Sequence, residues 1–186
     1  MKPTEELKNE HEAIKIALGI LSEISRRLEA GEKVKVDHLE GLLEFIRVFA
    51  DRCHHGKEEG LLFPAMEKAG IPRDKGPIGV MLAEHEEGRA YVRGMAQAVE
   101  EYKKGGKTAG PDFAVNARNY AALLSSHIDK EDRILYPMGD SRFPPAIQDA
   151  LGRGFEKIEE DVVGPGKHEE FRRFLHRMKN EYPRKA

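Results

Sequence analysis

HHGKEEGLLFPAM, residues 54–66, and HIDKEDRILYPM, residues 127–138, each open on histidine, place a glutamate four residues on, and add a second acid. Both then run through leucine and an aromatic residue into proline. A shift of 73 superposes them. Residues four apart share one face of a helix, so His54 pairs with Glu58 and His127 with Glu131. The same face continues backward through Leu39, Leu43, Ile46 and Ala50 in one copy, and through Asn116 and Leu123 in the other, with Leu62 and Leu135 beyond. This register leaves His55 and Glu59 one step round the helix, on a more mixed face with Glu44, Val48 and Asp51, as a solvated or accessory pair. Pro64 and Pro137 are expected to kink or end their helices.

A second repeat lies outside these two. In the first segment Leu7, His11, Ile14, Leu18, Leu21 and Leu28 recur at steps of three and four, the spacing of a buried helical stripe. Shifted by 74, Leu7, His11, Leu18 and Leu21 fall on Met81, His85, Val92 and Met95, and both copies carry the triplet EHE. Breaks rich in Gly, Pro, Lys or Asp separate the four segments, at 30–37, 69–77, 103–112 and 139–145. Beyond them, AIQDALGRGFEKIEEDVV and GKHEEFRRFLHRMKNEY read as two shorter helices with no counterpart in the repeat. The expected fold is all-α: an up-down-up-down four-helix bundle over 1–140, with two additional C-terminal helices over 141–186 packed on the same domain.

Composition narrows the function. The 186 residues fit one domain of ordinary size. Lys and Arg number 31 against 33 Asp and Glu, a net charge of −2, so there is no basic footprint for nucleic acid. No apolar run approaches the ~18 residues of a spanning helix, and the opening MKPTEELKNEHE lacks the apolar core of a signal peptide, so a cytoplasmic protein without a membrane partner is expected. Cys53 is the single cysteine, which excludes an intrachain disulfide and any thiolate-rich metal site. It reads as a packing residue. Transition-metal chemistry therefore falls to the eight histidines.

In an antiparallel bundle, His11 and His85 near the starts of their helices meet His54/Glu58 and His127/Glu131 near the ends of theirs. All six side chains then lie within one or two turns of the same level. Burying two carboxylates and four imidazoles without partners would cost several kcal/mol per group, roughly the whole stability of a domain. A shared cation removes that cost. Oxygen and nitrogen donors without sulfur favour iron, manganese or zinc, and Glu10, Glu84 and Glu86 are nearby acceptors for the outer imidazole N–H groups.

The set H…HxxxE…H…HxxxE over residues 4–139 resembles the hemerythrin-like family, whose members hold a non-haem di-iron centre in a four-helix bundle. That resemblance implies two iron ions, with His11, His54, Glu58, His85, His127 and Glu131 as ligands and Glu58 and Glu131 bridging. It implies a small diatomic or peroxide ligand (O2, NO or peroxide) and, for turnover, an electron-donor protein, since no flavin, haem or iron–sulfur motif is present. Oxygen carriers of the family have a further histidine one turn after the third-helix ligand, where this chain has Arg89, which argues against stable O2 storage. His168, at a helix start after GPGK, is a candidate to fold back as the missing ligand, while His38 and His176 read as structural or surface residues. Two rivals stand beside the di-iron reading: a non-catalytic iron or oxygen sensor whose tail reports metal occupancy, and a purely structural bundle that folds without metal.

Overall fold

The computed structural model describes residues 1–183, and among these there are six helical rods and no strand. α1 is Pro3–Glu29. Its first turn carries Glu5 and Glu6 and its last turn Arg26 and Arg27, each sign set against the helix dipole that favours it. α2 runs unbroken over 36–68, α3 is Pro77–Lys103, and α4 runs over 109–140. α5 is Pro145–Val162 and α6 is Lys167–Glu181. Prolines open α1, α3 and α5, where a missing N–H costs nothing because no intrahelical acceptor precedes it.

α2 and α4 are not uniform α-helices. α2 passes from the α-helix Val36–Phe45 into π-helical turns at Ile46–His55 and Glu58–Leu62 before returning to α at Phe63–Lys68. α4 widens at Glu131–Leu135, which is Glu58–Leu62 shifted by 73, and resumes as α at Tyr136–Asp140. This corrects the expectation for the prolines. Pro64 and Pro137 sit just past a widened turn, and both rods run on beyond them. A proline clashes with the carbonyl four residues back and lacks the N–H to bond it; an i→i+5 turn displaces that carbonyl and makes no demand on the missing donor.

The four long rods pack as an up-down-up-down bundle, with α4 lying along both α1 and α3. The buried stripe of α4 is Phe113, Ala117, Tyr120, Leu124 and His127, while Asn116 and Leu123 are only half-buried. Steps of four and seven back from His127 had pointed to those two neighbours; the observed stripe takes alternate steps of three and four. The apolar core is in two parts. A larger cluster, including Ile14, Leu21, Phe45, Met95 and Phe113, fills the bundle. A smaller one, including Leu7, Leu62, Phe63, Met81, Tyr136 and Phe155, closes one end. The polar layer lies between them.

α5 covers that closed end with Leu151 and Phe155. α6 lays Phe171, Leu175 and Met178 on the flank of the bundle, where Phe171 meets Phe45 edge-on at 5.4 Å. Gly41 makes room for this helix, since a Cβ there would stand 2.5 Å from the Phe174 ring. His38 shares a 2.7 Å hydrogen bond with the Tyr182 hydroxyl, and His176 is exposed beside Asn180, so both are structural or surface residues as expected. Among the described residues no helix is long and apolar enough to cross a membrane.

Candidate metal centre

Wide turns aim the site. Four residues of α-helix leave two side chains about 40° apart round the axis, because 3.6 residues make a turn. A π turn takes more residues, and Ile46–His55 is π-helical, whereas the Glu131 N–H still bonds the His127 carbonyl in an α turn. Single steps shrink in the π turn, and His55 follows His54 inward. The sequence register had placed His55 on a mixed face; it is instead 4% exposed and turned into the polar layer.

The six predicted side chains come together with His55 in two groups. One holds His11, His54 and Glu131, the other His55, Glu58, His85 and His127, and within each the donor atoms lie within 4.8 Å of one another. His11 Nε2 is 3.0 Å from His54 Nε2, and His85 Nε2 is 3.1 Å from His127 Nε2. Glu131 spans the groups, with Oε2 3.3 Å from His11 and Oε1 3.2 Å from His127. Glu58 Oε2 lies 3.5 Å from His85 and 3.8 Å from His54.

Behind each imidazole stands a carboxylate. Nδ1–H donates from His11 to Asp132 at 2.8 Å, from His54 to Glu10 at 2.8 Å, from His85 to Glu59 at 2.7 Å and from His127 to Glu84 at 2.8 Å. Each carboxylate is backed by a cation: Lys15 for Asp132, Lys57 for Glu10, Arg89 for Glu59 and Lys130 for Glu84. Glu10 and Glu84 have the role read from the sequence. Glu86 does not, for it pairs with Arg89. Glu59, read from the sequence as a solvated or accessory residue, takes the accessory role; Asp132 was missed, although the 73-residue shift relates the two and was available as a signal. Lys57 was missed too: wholly buried, it fills a triangle of Glu6, Glu10 and Glu159, which makes that acidic cluster an ammonium site.

With Nδ1 donating outward, a neutral ring turns a bare lone pair inward on Nε2. Lone pairs of four rings thus face one another and two carboxylates. Glu58 Oε2 and both oxygens of Glu131 have no hydrogen-bond partner. Burial and the adjoining Glu131 carboxylate drive the Glu58 pKa well above the carboxylate range. Burial works against charge on His127, yet Glu131 and Glu84 outweigh it and lift its pKa to about 9. Protons are one way to settle so many facing lone pairs; a divalent cation in each group is the other, and this donor set fits it.

The two halves differ in three places. Tyr136 occurs where the repeat has Phe63, and its hydroxyl donates to Glu58 Oε1 at 2.6 Å and lies 3.5 Å from His11 Nε2. His55 and Asp51 stand where the other half has Ile128 and Leu124. Arg89 is held by Asp51, Glu59 and Glu86. His168 does not reach the layer: it pairs with Glu159 at 2.7 Å and meets Phe49 edge-on. Cys53 is fully buried, and burial pushes its thiol up to about 12, so it is an unreactive packing residue.

The family model described as hemerythrin HHE cation binding domain matches residues 2–139. Uncharacterized proteins of Mycobacterium bovis and Mycobacterium tuberculosis are 28% identical over 133 residues, covering 72% of this chain. The chain spans about half the length of these curated relatives, 51%. No solved structure matches the chain significantly.

Proposed function

Because the chain belongs to the hemerythrin HHE cation-binding domain family, we propose that it holds two iron ions in the polar layer and binds or reacts there with a small ligand, O2, NO or peroxide. The proposed ligands are His11, His54 and Glu131 for one ion and His85, His127 and Glu58 for the other, with both glutamates bridging. The observation that carries this reading is the set of buried, unpartnered carboxylate oxygens enclosed by four inward Nε2 atoms. Manganese or zinc fits the same donors less selectively. A bound iron pair supplies the electrons and the coordination position on which such a ligand is held or reduced.

The protein's own part is to hold protons and exclude water. Burial and the nearby Glu131 push the Tyr136 pKa well up, so the phenol keeps its proton, donated to Glu58 beside His11. Phenylalanine already occupies the matching place in the repeat. Tyr136→Phe is therefore expected to fold and keep its metal while the reduced protein reacts with peroxide at least ~10-fold more slowly, as loss of a positioned proton donor requires. An unchanged rate in stopped-flow mixing would assign Tyr136 to packing. Arg89, occupied by three carboxylates, offers no lone pair in place of the further histidine of oxygen carriers, so reversible O2 storage is not part of the proposal. A cytoplasmic setting and an electron-donor partner are.

A second reading, an iron-responsive module without turnover, is favoured by one chain of contacts. Glu159 of α5 reaches Lys57, Lys57 reaches Glu10, and Glu10 holds His54. That path ties the C-terminal helices to the polar layer. Steady turnover of peroxide or NO with a reductant separates the readings.

The parent proposal is tested by elemental analysis after anaerobic reconstitution. About two metal ions per chain are expected. A protein that takes up none, and melts at the same temperature with and without chelator, overturns it.

A further inference from the structure

We propose that His55 is a fifth imidazole ligand, through Nε2, to the ion held by His85, His127 and Glu58. The two metal positions then carry different protein ligands. This rests on the di-iron reading above and deepens it.

His55 is built as the other four are. Its Nδ1 faces a carboxylate oxygen of Asp51 at 3.3 Å, so that Nδ1–H donates outward and Nε2 keeps its lone pair. Among the described residues, the remaining histidines, His38, His168 and His176, do not join either group of donor atoms. The ring stacks on His85 at 3.8 Å with the planes 15° apart and stands edge-on to His127 at 5.9 Å. That stacking fixes the ring beside His85 inside the polar layer. Nε2 of His55 is buried with no hydrogen-bond partner, while its donor position lies within 4.8 Å of those of Glu58, His85 and His127. A buried imidazole nitrogen left without a partner forfeits its hydrogen bond to water and gains nothing in return. A cation between these four groups would satisfy it.

Arg89 explains why the extra ring comes from α2. Its Nε donates to Asp51 at 2.9 Å, and Asp51 orients His55. The residue that replaces one histidine thus props the carboxylate that positions another. The other half of the repeat, with Ile128 and Leu124, has neither ring nor carboxylate at these places. The ion between His11, His54 and Glu131 is therefore the one with the freer coordination position, and Tyr136 is its neighbour.

The experiment is cobalt(II) titration of the full chain, followed by visible absorption and elemental analysis, in wild type, His55→Ala and His55→Gln. Cobalt bands report the ligand number at each ion without any turnover. Wild type is expected to fill two spectrally distinct positions. Both variants should keep one tight position and bind the second at least ~10-fold more weakly, with an altered spectrum for that ion alone. Added imidazole should restore the second ion in His55→Ala, since a cavity of about 200 Å³ lined by Asp51, His55, His85, Arg89 and Tyr120 adjoins the ring. If wild type binds two ions and both variants match it in affinity and spectrum, this inference fails and the di-iron reading stands. If wild type binds none, both fail.

Discussion

Glu131→Ala will empty both metal positions together. Its two oxygens face opposite groups, Oε2 toward His11 and Oε1 toward His127, and both are fully buried without hydrogen bonds. Among the described residues no other touches both groups so evenly; Glu58 approaches them with a single oxygen. An ion that binds only the folded chain stabilises it by about 2.7 kcal/mol at a hundredfold excess over its Kd. Two such ions, in a domain where each kcal/mol moves Tm by about 2–4 °C, give a fall of roughly 10–20 °C between the reconstituted wild type and the variant. Glu59→Ala is the comparison, because Glu59 only accepts from the outer nitrogen of His85. It should keep both ions at roughly 10–100-fold lower affinity. Elemental analysis beside a thermal melt checks both. Two ions retained in Glu131→Ala would refute the bridge.

Lys57→Met is expected to destabilise the fold by about 3–5 kcal/mol, because it strands the buried Glu10 carboxylate, which shares one ammonium with the partly exposed Glu6 and Glu159. Lys57 is fully buried, with Nζ 2.7 Å from Glu6, 2.5 Å from Glu10 and 3.2 Å from Glu159. Burial opposes its charge, but Glu10 and Glu6 outweigh that and raise its pKa. Methionine fills the space and removes the compensation. Its repeat mate Lys130, paired with Glu84 but 36% exposed, is the control. Lys130→Met should cost less than about 1 kcal/mol. Chemical denaturation of both variants decides the matter, and equal small losses would show that the Lys57 triangle contributes no more than a surface pair.

Much of the site was legible because the chain repeats itself. Two shifts, of 73 and 74, related every histidine and glutamate of the six, and the helical period said which of them shared a face. Direction did the rest: antiparallel neighbours bring helix starts level with helix ends. The acceptors behind His54 and His127 were also within reach, as Glu10 and Glu84 lie one residue from ligand histidines. Asp132 lay in the repeat unread, and Glu59 was read only as solvated or accessory, since nothing in a period of 3.6 says that a residue one step past the ligand glutamate reaches across to another helix.

The sequence by itself determined the four-rod bundle, the level at which its ionisable groups meet and the buried stripes that carry them. These follow from periodicity and from the cost of burying charge, which are properties of local pattern and composition. Only the tertiary structure decided where His55 points, what Lys57 fills and that His168 stays outside. Each of these depends on turns that widen from α to π, or on α5 and α6 docking on the bundle. Those adjustments are worth little locally and are settled by which side chains pack across helices, so no single stretch of chain encodes them.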